Sequence, residues 1–135
     1  MKYLKNGLLI AIILTSFSCK KTESNKFTDK LTFGSSVNYN DFTLVGEGST
    51  FSIVPGTVVF RLESSEDFAG NPVKFVIKKG GIDYSTEIFS SNPKPTGHIF
   101  ITALNYGLTG SYSVTAYLQK SSGDQSVASA SFQMN

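Results

Sequence analysis

Four oxygen-bearing side chains follow a strongly apolar stretch, residues 58–62, and are close enough in sequence to share a metal ion. They are Glu63, Glu66, Asp67 and Asn71. Calcium takes six or more oxygen ligands, which carboxylates in one loop can supply. Their spacing matches no calcium loop that we can name, and a solvated polar loop explains the same residues without a metal. We favour the solvated loop, expect no metal and no cofactor, and keep calcium as the alternative.

The single histidine, His98, is the other residue with obvious acid–base chemistry. A Ser/His/Asp arrangement needs a nucleophile beside the base, and no Gly-x-Ser-x-Gly elbow occurs. A metal centre built on imidazole usually recruits several His or Cys ligands, and the chain has one cysteine. We therefore interpret His98 as an ordinary residue at a strand edge and expect a protein that is not an enzyme.

Aromatic side chains are a third possible source of function. Flat rings stack on sugars and anchor protein partners, although tryptophan, which stacks most strongly, is absent. Cross-strand packing on a sheet surface explains Tyr84 and Tyr117 without any ligand. The candidate ligand-binding rings, all expected to be partly exposed, are Tyr84, Phe89, Tyr106 and Tyr117.

The only cysteine, Cys19, ends a short apolar stretch that begins at Leu8. Lys2 and Lys5 precede this stretch, and small residues lie between its apolar part and the cysteine. A basic start, a short apolar run and small residues are typical of a secretory signal. The run is too short to remain as a membrane-spanning helix.

Residues 1–19 resemble the signal peptide and lipobox of bacterial lipoproteins, in which Ser18 provides the small residue before Cys19. The nearest leucine, Leu14, lies further upstream than in the commonest lipobox. The resemblance implies cleavage before Cys19 and a diacylglycerol on its thiol. Ordinary secretion, with cleavage after Ser16 or Ser18 and a free thiol, is the alternative.

The lipoprotein resemblance also predicts where the protein is held. An aspartate after the cysteine favours retention at the inner membrane in that family, and Lys20 takes its place here. The resemblance therefore implies the outer membrane, with the face left open. The predicted organisation is a signal peptide over residues 1–18, a lipidated flexible tether over residues 19–29 and one folded domain over residues 30–135.

Charge and composition exclude some function classes. The chain of 135 residues has 12 Lys and Arg and 10 Asp and Glu, and Lys2 and Lys5 fall within the signal. The remaining charges balance, whereas a nucleic-acid-binding domain would show a basic excess. We expect no nucleic-acid partner. A single cysteine also excludes an intrachain disulfide.

From Leu31 onward, apolar residues alternate with polar ones, and Gly, Pro, Asn or Ser interrupts the pattern at intervals of about ten residues, a spacing typical of an antiparallel sandwich or barrel. The clearest inward rows are residues 58, 60 and 62, residues 73, 75 and 77, and residues 112, 114, 116 and 118. Residues 92–97 contain two prolines and are predicted to form a loop that crosses between sheets.

Residues 108–114, with Tyr112 near a strand start, resemble the corner before the penultimate strand of immunoglobulin-like domains. In that class the tyrosine hydroxyl bonds to upstream backbone. The resemblance implies an all-β, immunoglobulin-like antiparallel sandwich of about seven to nine strands. The disulfide and core tryptophan of antibody domains are absent, so it extends to the broad class alone. The pairing of strands before Phe51 is left open.

These features together favour a non-enzymatic, lipid-anchored envelope protein that serves as a binding, structural or adhesion module. Its expected partner is another envelope or extracellular protein, met through a sheet edge or the end loops. Capture of glycans at the cell surface is the alternative, based on the tyrosines and the implied outer-membrane location.

Overall fold

A computed structural model describes residues 26–90 and 97–135 of the chain. These residues form ten β-strands and no helix, which confirms the predicted all-β class. The predicted signal, Cys19 and nearly all of the predicted crossing loop lie outside the described residues. The strands are β1 (Lys30–Gly34), β2 (Ser36–Asn38), β3 (Thr43–Val45), β4 (Thr50–Phe51), β5 (Thr57–Glu63), β6 (Val73–Lys79), β7 (Ile82–Phe89), β8 (Ile99–Asn105), β9 (Gly110–Lys120) and β10 (Gly123–Met134).

Two sheets form the sandwich. One has the strand order β1-β5-β8, and the other has the order β4-β10-β9-β6-β7. Neighbours pair antiparallel except β4, which pairs parallel to the end of β10. This division of strands between sheets is that of immunoglobulin-like domains, so the predicted sandwich is confirmed. The strand count exceeds the expected seven to nine because it includes the very short strands β2 and β4.

The core lies between the two sheets and follows the predicted alternation. The inward rows of β5, β6 and β9 are almost fully buried. Phe60 lies at the centre, with its ring centroid 4.9 Å from that of Phe33 and 5.3 Å from that of Phe75. Phe132 and Tyr106 also contact this ring, at 5.9 and 6.4 Å. The pairs with Phe33, Phe75 and Phe132 are edge-to-face and the pair with Tyr106 is stacked, and such aromatic pairs stabilise the fold beyond the effect of their buried area.

A second, smaller core lies on the outer face of the three-stranded sheet. The β2–β3 hairpin and Phe27 cover Val59 on β5 and two residues of β8, Ile99 and Ile101. Both faces of β5 and β8 are therefore buried, which explains their apolar residues at consecutive positions. Phe27 precedes position 30, so contacts with the sandwich begin within the stretch that the sequence assigned to the tether.

The predicted tyrosine corner is confirmed. The Tyr112 hydroxyl donates a hydrogen bond to the Leu108 carbonyl oxygen at 2.8 Å. Its ring is fully buried and stacks on Phe132, with centroids 5.2 Å apart. The bond fixes the entry of the chain into β9, the strand at the centre of the larger sheet.

The β6–β7 hairpin turns at Gly80 and Gly81, which both have positive φ. Two positive φ angles are what a two-residue hairpin turn requires, and glycine adopts them without steric cost. Beyond the turn, Ile77 pairs with Ser85 and Lys78 with Asp83, so Tyr84 is the extra residue of a β-bulge. A β-bulge changes the direction in which a side chain points, and here the Tyr84 ring contacts the rings of Tyr106 and Tyr112.

Within the described residues, no helix has the length and hydropathy needed to cross a membrane.

Candidate binding cleft at the open edge of the sandwich

Among the residues that the structure describes, no strand closes one side of the sandwich, between the last strands of its two sheets. Strand β7 ends the five-stranded sheet and β8 ends the three-stranded sheet. A cleft of about 330 Å³ lies between them. Its lining residues come from both strands and the residue that follows β8: Tyr84, Ser85, Glu87, Leu104, Asn105 and Tyr106.

Tyr106 is buried, with 3% of its surface exposed, so the expectation that its ring is partly exposed was wrong. Its backbone N–H donates to the Gly56 carbonyl at 2.8 Å, which fixes the residue just past the end of β8. The ring then packs on Tyr112 and Phe132, with centroids 4.8 and 5.1 Å away. A residue beyond a strand end need not follow the strand's alternation, and here it closes the core.

The buried Tyr106 hydroxyl has no hydrogen-bond partner within the described part of the chain. Burial raises the pKa of this hydroxyl far above its usual range, and the neighbouring Tyr84 and Glu87 raise it further. The group is therefore neutral at physiological pH. An unpartnered buried hydroxyl is costly, and such groups in folded proteins call for an explanation such as a ligand.

Tyr84 is 41% exposed and forms the outer wall of the cleft. Its ring is 6.1 Å from that of Tyr106, with an interplanar angle of 26°. It also meets Tyr112 edge-on at 5.2 Å. The structure thus brings Tyr84 and Tyr106 together, one ring exposed and the other buried.

The other two predicted ligand-binding rings lie apart from the cleft. Phe89 is half-buried and packs on Phe100 and Phe75, at 5.2 and 6.1 Å. Tyr117 is half-buried beneath the Lys74 ammonium, which lies 4.9 Å from its ring centroid. Packing between the sheets accounts for Phe89 and cross-strand packing accounts for Tyr117, so the four rings do not make one platform.

Glu87 carries the one negative charge among the six lining residues. It pairs with Phe75 across the sheet and so shares the inward face of β7. Glu87 was not among the residues identified from the sequence. Its position carries a signal, because it alternates with Phe89, a half-buried residue of the same inward face.

The proposed calcium ligands engage separate partners. Glu63 accepts hydrogen bonds from the Thr28 N–H and from Arg61, both at 2.9 Å. Although burial raises the pKa of Glu63, these bonds outweigh it and hold that pKa below its usual value. Glu66 accepts from Lys120 at 2.7 Å, which holds its pKa low as well.

The remaining two calcium candidates stabilise their own loop. Asp67 accepts from the Ala69 N–H at 2.7 Å, and the Asn71 amide donates to the Phe68 carbonyl at 2.8 Å. Ala69 has a positive φ, so the Asp67 bond supports a tight turn. Across residues 26–90 and 97–135, no group of three His, Cys, Asp or Glu side chains is arranged to hold a metal ion.

His98 lies just before the start of β8, with Nδ1 2.9 Å from the Ser64 carbonyl oxygen. Its ring stacks on Phe27, with centroids 4.6 Å apart. Nε2 is 3.9 Å from an Asp67 carboxylate oxygen. These contacts attach the segment before β1 to the loop after β5.

A second cleft, of about 310 Å³, lies elsewhere on the sandwich, between β1 and β10. Glu47 lines it, together with Phe33 and Ser131. This cleft holds one carboxylate, as the first does, but Tyr106, whose buried hydroxyl has no partner among the described residues, lines the first cleft. The second cleft therefore provides a matched control for substitutions in the first.

Removal of the hydroxyl from two buried tyrosines, Tyr106 and Tyr112, should change the stability of the fold in opposite directions. Tyr106→Phe removes a hydroxyl with no partner and should stabilise the fold by about 1 kcal/mol, the desolvation cost of an unsatisfied buried group. Tyr112→Phe removes an existing hydrogen bond and should destabilise the fold by about 1 kcal/mol. Urea unfolding followed by circular dichroism measures both.

The two variants are each other's control because both delete one hydroxyl from a buried tyrosine. Destabilisation by Tyr106→Phe equal to that by Tyr112→Phe would mean that the Tyr106 hydroxyl has a bonding partner in the free protein. The cleft would then lose its unsatisfied group.

Comparisons with known proteins add no functional identity. No protein-family model and no curated protein matches the chain. Among solved structures, the soluble domain of PmoD from Methylocystis sp. ATCC 49242 (Rockwell) is similar, at 16% sequence identity and a TM-score of 0.47. The match covers 79% of this chain and 92% of that chain. So weak a likeness indicates no function, and the β-sandwich is established by the strand pairing above.

Proposed function

We propose that this protein is a non-enzymatic binding module, anchored to the bacterial envelope through lipidated Cys19. It takes an extended segment of another envelope or extracellular protein onto the free edge of β7. The observation that carries the proposal is this edge: eight residues long, paired on one side with β6, and with no other described strand on the second side.

An unpaired strand edge presents a row of backbone N–H and C=O groups that can bind another chain. Strand β7 also exposes apolar side chains, with Ile82 and Ile88 at 75% and 52% exposure. Apolar exposure on a long edge strand is a liability unless a partner covers it. A strand added beside β7 would extend the larger sheet by one strand.

Charge favours a basic partner. Strand β7 contains no Lys, Arg or His, and of its two carboxylates that of Asp83 lies 3.6 Å from the Lys78 ammonium while that of Glu87 lines the cleft. Opposite charges on facing strands stabilise the pair, and like charges destabilise it. A second copy of this chain would bring acidic edges together, so a different protein with a basic segment fits better.

The anchoring part of the proposal rests on the sequence of residues 1–19. A lipid-bearing Cys19 would hold the domain at the membrane, since each buried methylene contributes about 0.8 kcal/mol and two or three chains give stable attachment. The lipoprotein resemblance favours the outer membrane. A module held at the membrane can bind only those partners that lie within reach of its tether.

Thr86→Lys tests the β7 edge. A photo-crosslinking amino acid at position 88 should capture a protein segment rich in Lys and Arg in intact cells. The ammonium introduced at position 86 would oppose such a segment, so capture should fall by roughly fivefold or more. Mass spectrometry of the crosslinked peptide measures both yield and composition.

Ser113→Lys is the control, because it adds the same charge to an exposed position of the central strand β9. Capture from position 88 should survive it. Equal capture from crosslinkers at positions 88 and 113, or no effect of Thr86→Lys, would refute binding at the edge.

Glycan capture is the second candidate, favoured by the exposed Tyr84 ring beside the polar groups of Glu87 and Asn105. Sugars bind where a ring face adjoins hydrogen-bonding side chains. A glycan array in which Tyr84→Ala abolishes a hit would favour this candidate over protein binding.

A further inference from the structure

We propose that the cleft between β7 and β8 is a specificity pocket for one lysine or arginine side chain of the segment that adds to β7. This inference rests on the proposed function and names the feature by which the partner is selected. The observation behind it is a cleft lined by an inward carboxylate and by two tyrosines, one of which, Tyr106, has a buried hydroxyl without a described partner.

The position of the cleft suits a side chain from an added strand. Successive side chains of a strand point to opposite faces of its sheet. Ser85 and Glu87 share the inward face of β7, as their pairing with Ile77 and Phe75 shows. Inward side chains of a strand beside β7 would therefore lie over the mouth of the cleft, opposite Glu87.

The chemistry of the lining favours a cation. Glu87 supplies a carboxylate, and none of the described residues that line the cleft is basic. The exposed ring of Tyr84 attracts an ammonium or guanidinium group. The Tyr106 hydroxyl, neutral and buried without a described partner, can accept a hydrogen bond from a cation that reaches it. A cation that reached this hydroxyl would satisfy the group that the free protein leaves unsatisfied.

The same lining disfavours other side chains. An apolar group over the cleft would remove water from the Glu87 carboxylate without replacing its hydrogen bonds, which is costly. An acidic group would repel it. An inward charge is also a device that keeps edge strands from pairing indiscriminately. Glu87 thus protects β7 from wrong partners and admits a basic one.

Small probes test the pocket without a known partner. The full mature chain in detergent is titrated with n-butylguanidinium, n-butanol or butyrate, and NMR shifts of the Tyr84 and Tyr106 rings are followed. We expect saturable shifts with the guanidinium alone. Glu87→Gln should weaken its binding by roughly fivefold, the upper end of the range for a partly exposed ion pair. Tyr106→Phe should weaken it while raising stability.

Glu47→Gln is the matched control, since it makes the same change in the second cleft and should leave the titration unaltered. Equal shifts with butanol and butylguanidinium, or equal binding by the wild type and Glu87→Gln, would overturn the inference.

This experiment and the crosslinking experiment fail independently. Edge capture without a guanidinium response would refute the cation pocket and leave strand addition intact. A guanidinium response without edge capture would refute strand addition, and with it the assignment of the cation to a partner strand.

Discussion

Phe60→Ala is expected to destabilise the domain by about 4 kcal/mol, within the range for deleting a buried aromatic ring from a core. Phe60 is fully buried, and its ring contacts those of Phe33, Phe75, Phe132 and Tyr106. These rings come from both sheets, so the cavity would open between them and could not collapse without shifting whole strands. Native domains are stable by about 5–15 kcal/mol, so this loss is a large share of the total.

Equilibrium urea unfolding, followed by far-ultraviolet circular dichroism, measures this loss. Phe60→Leu retains part of the volume and should cost less, which keeps the comparison measurable if the alanine variant does not fold. Ile82→Ala, at an exposed position, should change stability by no more than about 0.5 kcal/mol. A loss below about 1.5 kcal/mol for Phe60→Ala would show that this ring is not central to the core.

Cys19→Ala should move the protein from the membrane fraction to the soluble periplasmic or secreted fraction. Two or three acyl chains hold a protein at a membrane effectively permanently, and Cys19→Ala removes the thiol that would carry them. The expected effect is therefore nearly complete redistribution. Fractionation after expression, with intact-mass spectrometry of the wild type, measures it.

Ser24→Ala, in the predicted tether, is the control and should leave the protein in the membrane fraction. An unmodified thiol on wild-type Cys19, or membrane retention of Cys19→Ala, would refute the lipid anchor. If the lipid anchor were refuted, the proposal that a partner segment binds the β7 edge would still be tested separately by the crosslinking experiment.

The larger sheet and its core could be predicted from sequence because their signal is local. Residues 112, 114, 116 and 118 alternate without interruption, and β9 pairs on both sides, so each apolar residue on that face is buried. The Tyr112 corner was predictable for the same reason: the hydroxyl and the carbonyl that it reaches are four residues apart. Local patterns determine local contacts.

The outer core was not predictable in the same way. Strand β2 is three residues long, too short for alternation to be recognised, and it matters because it covers Val59, a residue far along the chain. Apolar residues on both faces of β8 indicate that each face is covered, but they do not show that the β2–β3 hairpin covers the outer one. Contacts between segments far apart in sequence depend on the entropy of closing the intervening chain and on packing, and a short sequence pattern shows neither.

The cleft lay beyond sequence reasoning for two further reasons. It exists because β7 and β8 each end a sheet, which is a property of strand order. The Tyr84 ring reaches it through a bulge that alternation cannot reveal. Tyr106 was expected to be partly exposed, but it lies one residue past the end of β8, where the alternation of the strand no longer applies.

The direction of β8 determines how the molecule would present itself on a surface. Its first residue, Ile99, pairs with Glu63, beside which Thr28 and the start of β1 are attached. Its last residue, Asn105, lies at the far end of the strand, roughly 20 Å away at the rise of an extended chain. A chain tethered through its N-terminal segment would therefore hold Asn105 and Tyr106 on the pole furthest from the lipid, open to whatever approaches from the aqueous side.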